Sequence, residues 1–113
     1  MNIPLFEELD ALMSSISERA FCSQWQVDLE FDLWHLLQSG ERSLGQVELS
    51  DDEIQRLKGL SKALDGWIVF DEVRFLVPLA NWQEGYRRFE AGEKSAAILD
   101  DLRKVGAVVP FAK

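Results

Sequence analysis

Trp25-Gln26-Val27-Asp28-Leu29-Glu30-Phe31-Asp32-Leu33-Trp34-His35-Leu36-Leu37 is the stretch on which the fold turns. As far as Leu33, apolar and polar residues alternate without error, which is the period of a strand with one face buried. Helical spacing also fits. Phe21, Trp25, Leu29, Leu33, Leu36 and Leu37 fall on one broad arc, and Val27, Phe31 and Trp34 form a second stripe. The alternation stops at Trp34, and no Gly or Pro interrupts residues 18–39. An unbroken run of this length favours a helix over 18–39, buried on two sides. On such a helix Asp28 and Asp32 are neighbours of like charge one turn apart, which costs about 0.3 kcal/mol unless a cation offsets it.

Before this stretch, Leu5, Phe6, Leu9, Leu12, Met13 and Ile16 repeat at helical spacing and predict a helix over 4–17, with Pro4 at a first-turn position. After it, Ser39-Gly40 ends the segment and a polar loop is expected to reach Leu49. Ser50 and Glu53 then form the Ser-x-x-Glu capping box, with Leu49 and Ile54 placed as a hydrophobic staple. Ile54, Leu57, Leu60, Ser61 and Leu64 supply the face of that helix, and Gly66 is expected to stop it in the left-handed conformation.

Trp67–Phe70 and Val73–Val77 are short runs rich in strand formers around Asp71-Glu72, so a hairpin is expected, ended by Pro78. A helix over 79–91 follows, with Leu79, Trp82, Tyr86 and Phe89 inward, Gly85 leaving room for an aromatic ring, and Gly92 as its stop. A last helix over 94–104 ends at Gly106, and residues 107–113 read as a short strand or a loose tail. An isolated hairpin is not stable in water, so helices or a third strand must cover it. The expected fold is therefore mainly α with a small β-hairpin: one domain over 1–113, a helical bundle covering a two- or three-stranded sheet.

The chain has 113 residues, of which 47% are hydrophobic and 28% charged. That suits one folded domain and argues against disorder. No run is apolar and long enough to span a membrane. The N-terminal stretch meets Glu7 and Glu8 with no basic region before it, so it is not read as a signal peptide. With a single cysteine, Cys22, no intrachain disulfide can form, and a cytoplasmic location is expected. One Cys and one His do not supply a zinc site, and no metal or other cofactor is expected. On a straight helix Cys22 and His35 would lie about 20 Å apart, too far for a catalytic pair. Cys22 reads as a small buried hydrophobe and His35 as a packed or half-exposed helix residue. No phosphate loop, nucleophile elbow or zinc-protease motif is present, and no enzymatic activity is expected. Each of the four tryptophans reads as core, with room for one exposed anchor.

The net charge of −8 is unevenly placed: residues 1–53 hold twelve acids against Arg19 and Arg42, and the remainder is slightly basic. Direct binding to nucleic acid needs a basic stripe and is not expected. A basic protein partner is the natural complement of an acidic face. Asp28, Glu30 and Asp32, with Glu48, Asp51 and Asp52 of the following loop, are the candidate partner-binding residues. Asp71 and Glu72 at the hairpin tip are a second group.

Two stretches resemble small immunity proteins of bacterial polymorphic and contact-dependent toxin systems. One is W-x-x-x-L-E-x-x-L-W over Trp25–Trp34, after Phe21-Cys22. The other is Gly66-Trp67-Ile68-Val69-Phe70-Asp71, followed by Phe75-Leu76-Val77-Pro78-Leu79-x-x-Trp82-x-x-x-Tyr86. The resemblance implies a cytosolic protein that binds and neutralises a cognate toxin domain; the chain itself is expected to be a monomer or weak dimer. Many such toxins are basic nucleases, which agrees with the acidic first half. Those immunity proteins differ widely in contact sites, so the resemblance assigns no residue. The other readings are an acidic nucleic-acid mimic that inhibits a DNA-binding protein, and a secretion chaperone.

Overall fold

The computed structural model describes residues 3–20, 27–71 and 73–108. Its elements, in chain order, are α1 (Ile3–Arg19), α2 (Val27–Ser39), β1 (Ser43–Leu44), β2 (Val47–Glu48), α3 (Asp51–Leu64), β3 (Gly66–Val69), β4 (Phe75–Pro78), α4 (Leu79–Glu90), α5 (Ser95–Val105) and β5 (Ala107–Val108). The fold is mainly α with a small antiparallel sheet, as the sequence predicts.

The stretch over 27–37 is helical, but the single long helix expected over 18–39 does not exist. α1 runs to Arg19 and closes through the Ala20 N–H on the Ile16 carbonyl. α2 starts at Val27. Cys22 and Trp25 lie outside the described residues. α2 is buried on two sides, by Val27, Phe31 and Trp34 and by Leu33, Leu36 and Leu37. Its exposed residues are Asp28, Asp32 and His35 along one narrow stripe, with Gln38 and Ser39 at its end.

The polar loop expected before Leu49 contains a small hairpin. β1 and β2 pair antiparallel, Ser43 with Glu48 and Leu44 with Val47. Gly45 turns the chain at φ +62°, which glycine adopts without a Cβ penalty. Leu44, Val47 and Leu49 are buried, so the polar residues between them hid an inward face.

α3 begins as its sequence predicts. Ser50 Oγ accepts the Glu53 N–H at 3.1 Å, and the Ser50 N–H donates to Glu53 Oε1 at 3.0 Å. Its end differs from expectation, since Asp65 rather than Gly66 takes the left-handed conformation. Asp tolerates that region because its short side chain crowds the backbone little. Gly66 instead opens β3, where a Cβ would lie 2.8 Å from the Val77 carbonyl oxygen.

β4 is the centre of the three-stranded sheet, with order β3-β4-β5 and antiparallel pairing throughout. β3 pairs Trp67 with Val77 and Val69 with Phe75. The third strand comes from the C-terminal side, where Val108 pairs with Phe75 and Ala107 with Leu76. Gly106 precedes it because a Cβ there would meet the Phe75 ring at 2.6 Å. Between α4 and α5, Gly85 admits aliphatic side chains rather than the aromatic expected: its virtual Cβ is 3.1 Å from Ile98 Cγ2 and 3.4 Å from Leu102 Cδ2.

The core holds a column of rings. Trp34 meets Trp67 edge-on at 5.2 Å, Trp67 stacks with Trp82 at 5.8 Å, and Phe31 stacks between Trp82 and Phe89 at 4.5 and 4.7 Å. Such pairs contribute about 1 kcal/mol each beyond area burial. The column ties α2 to β3 and α4. Every described tryptophan is core, and none is an exposed anchor.

Candidate partner-binding surface

The pitch of α2 decides which acids face outward. Asp28, Asp32 and His35 lie within a narrow arc of one another, whereas two residues of helix turn the chain by about 200°. Glu30, expected on the same acidic face, therefore points into the core and is fully buried. Its Oε1 accepts the Phe70 N–H at 3.0 Å. Burial drives its pKa well above the ordinary range, and the bond from Phe70 offsets only part of this. Glu30 is therefore a structural acid and does not belong to the surface.

The remaining candidates do not form one patch. Asp51, at the start of α3, pairs with Arg42. Asp71 pairs with Arg103 of α5. Glu48 and Asp52 are exposed. Glu72 lies outside the described residues. Asp28 is bonded by the Ser95 hydroxyl at the start of α5. Asp32 is pushed above the usual carboxylate range by partial burial and then by Asp28, while His35 acts in the opposite direction.

The arginines account for the charge that is left over. The chain has seven, and each sits in an intrachain ion pair. Arg19, Arg42, Arg56 and Arg74 hold Glu53, Asp51, Glu8 and Asp10. Arg87 holds Glu84, Arg88 holds Glu93 and Asp101, and Arg103 holds Asp71. Glu53 shows the effect: burial pushes its carboxyl up, but the Ser50 N–H and Arg19 outweigh this and hold it low. Among the described residues no cation pairs with Asp28, Asp32 or Glu90.

Those three acids share one face, built where α2 packs on α4 and α5. His35 Nδ1 is 2.9 Å from the Tyr86 hydroxyl. Glu90 follows Tyr86 by one turn of α4. Burial, then the nearby Glu90 carboxylate, push the Tyr86 hydroxyl up to about 12. Tyr86, Glu90 and Ser95 were not candidates in the sequence. The signal available was the i, i+4 spacing of Tyr86 and Glu90 on a helix, but their meeting with α2 is a tertiary fact.

Elsewhere, a groove of about 190 Å³ lies among Asp71, Val73, Phe75, Arg103 and Val108. That is smaller than most small-molecule sites. Among the described residues no group of three or more His, Cys, Asp or Glu is placed to hold a metal ion. Among the same residues no helix is long and apolar enough to cross a membrane. Comparison with protein families, with curated proteins and with solved structures returns no match.

Proposed function

We propose that this protein is an immunity protein that binds and neutralises a cognate bacterial toxin domain, a basic nuclease, in the cytoplasm. The observation that carries this reading is the distribution of charge. All seven arginines are used within the chain, and among the described residues Asp28, Asp32 and Glu90, like Glu7, Glu18, Glu41, Glu48, Asp52, Asp65 and Asp100, form no ion pair, so the surface keeps a net excess of acid. A surface of that kind attracts a basic partner and speeds its association. Neutralisation is then steric and electrostatic: the acids occupy the cationic groups with which the toxin would hold phosphate.

The nucleic-acid-mimic reading is weaker on the same ground. A mimic needs a long row of acids, whereas here Glu30 is buried and Asp51 and Asp71 are paired.

The test is a tagged pull-down from the producing cell, washed at low and then high salt, followed by a nuclease assay of whatever is retained. One basic toxin domain, held through the salt wash and inactivated by this protein, supports the proposal. The D32K/E90K variant then associates about tenfold more slowly, through loss of steering. Several DNA-binding proteins released together by salt favour the mimic, since exposed charges are screened. Recovery of no partner rejects both.

A further inference from the structure

Four large apolar side chains are exposed among the described residues: Ile3, Val73, Val105 and Val108. Three of them belong to one end of the molecule. Val73 and Val108 line the groove that also holds Asp71, Phe75 and Arg103. Val105 ends α5 and is joined to β5 through Gly106, which packs against the Phe75 ring. One exposed valine needs no explanation, but several around a strand mark a surface that is covered in use.

That strand is β5. In the order β3-β4-β5 it is paired on one side only, with β4. The other outer strand, β3, is buried along its whole length, whereas Ala107 and Val108 are both exposed. Hydrogen-bonding groups alternate in direction along an antiparallel strand. One of the two residues of β5 therefore turns its N–H and C=O away from β4, where a second strand can take them. Edges of this kind are commonly guarded by lysine, proline or an inward charge. Ala107 and Val108 supply none of these.

Charge selects the occupant. The chain carries a net charge of −8, so most of its surface repels a second copy and attracts a basic partner. The groove does neither. It holds one acid and one base, Asp71 and Arg103, which are paired with each other. Its apolar walls and balanced charge offer little to a cationic partner, and they lift the repulsion that bars a second copy elsewhere. A patch with one charge of each sign is also complementary to itself across a two-fold axis. On that axis the outward residue of β5 meets its own twin, and the two exchange both backbone bonds.

We propose that this protein forms a weak homodimer through β5, the two copies pairing β5 with β5 antiparallel about a two-fold axis, so that the sheets join and Val73 and Val108 are covered. Strands of two residues make a small contact, below about 1,200 Å² in total, so the dimer forms at high concentration only. The inference is independent of the toxin-binding reading, whose acids lie on α2 and α4.

The test is sedimentation equilibrium of the full chain from micromolar to millimolar concentration, at low and at high salt, with amide NMR to place the contact. The wild type is expected to pass from monomer to dimer across that range, more readily at high salt, which screens the repulsion between acidic copies. The amide shifts that follow concentration are those of β5 and Val73. V108K sets two ammonium groups against each other at the axis and removes the dimer, although it lowers the overall negative charge. V73S leaves β5 intact and weakens the dimer about three- to tenfold. The melting transition of each variant reports whether it is folded.

A wild type that stays monomeric at millimolar concentration in high salt overturns the proposal. A dimer that either variant leaves unchanged overturns it too, since its interface then lies elsewhere. If the wild type is monomeric and V108K loses the partner retained in the pull-down, the edge belongs to that partner and not to a second copy. Self-association strengthens with salt, whereas association with a basic partner slows with it, so the failure of one reading is distinguishable from the failure of the other.

Discussion

The Glu30 carboxylate accepts a hydrogen bond from the Phe70 backbone N–H, 3.0 Å away and 40 residues along the chain. It fastens the first turn of α2 to the end of β3, and the same acid is fully buried. Its folded-state pKa is raised by burial. The native state therefore holds this proton more tightly than the unfolded chain does. Where Glu30 titrates, stability falls as pH rises from the unfolded value of about 4.3 through the raised folded value, and is level beyond it. E30Q keeps an oxygen for Phe70 and removes the charge. It is expected to lack this fall and to be more stable than the wild type near neutral pH. E30A strands the Phe70 N–H and opens a cavity, at a cost of about 2–4 kcal/mol. Urea denaturation at mildly acidic and neutral pH checks both. A wild-type curve as flat as that of E30Q would contradict the burial argument.

Arg74 links α1 to the same turn. Its Nε is 3.0 Å from Asp10 Oδ1, and its guanidinium lies over the Phe70 ring at 5.1 Å. Asp10 is buried, while the Arg74 side chain is 27% exposed. Removing the cation leaves a buried charge with less support, so R74M is expected to cost about 3 kcal/mol. The double variant D10N/R74M removes both charges and is expected to recover much of that loss. A double-mutant cycle in denaturant gives the coupling, and additive losses would show that the pair is not coupled.

Gly66 packs its α-carbon against β4. A Cβ there falls 2.8 Å from the Val77 carbonyl oxygen and 2.9 Å from Leu76 Cγ. The obstacle includes backbone within the paired register, which cannot turn aside as a side chain can. G66A is expected to lose about 2 kcal/mol. Gly59 has nothing within 4 Å of its virtual Cβ. It lies inside α3, so G59A is expected to gain about 1 kcal/mol from helix propensity. Thermal melts of the two variants should move in opposite directions.

The capping box of α3 is a reciprocal pair of bonds, Ser50 Oγ from the Glu53 N–H and Glu53 Oε1 from the Ser50 N–H. Arg19 also holds Glu53, which joins the cap to α1. S50A is expected to lose about 1 kcal/mol. E53Q keeps the cap bond and loses the ion pair, so it should cost less. A melting point for E53Q below that of S50A would place the weight on the α1 contact instead.

Local chemistry determined much of this protein from the sequence alone. The α1 face, the Ser50 box, the strand ended by Pro78, and the helix closed by Gly92 each depend on residues a few positions apart. Their period, caps and fixed φ values act in any context. Tertiary structure decided the rest. The alternation at 25–33 fits two periods, and from Val27 onward only packing against Trp67 and Trp82 selects the helix. That choice sends Glu30 inward and leaves Asp28, Asp32 and His35 outside, a division that the strand period would not have made. Asp65 ends α3 in place of Gly66 because the glycine is needed against Val77. Leu44 and Val47 form a hairpin because α2 offers them a surface to cover. The partners of His35 arrive from another helix, through contacts at long sequence separation. A sequence displays its local preferences openly, but the energy of such contacts exists only once the chain has brought the residues together.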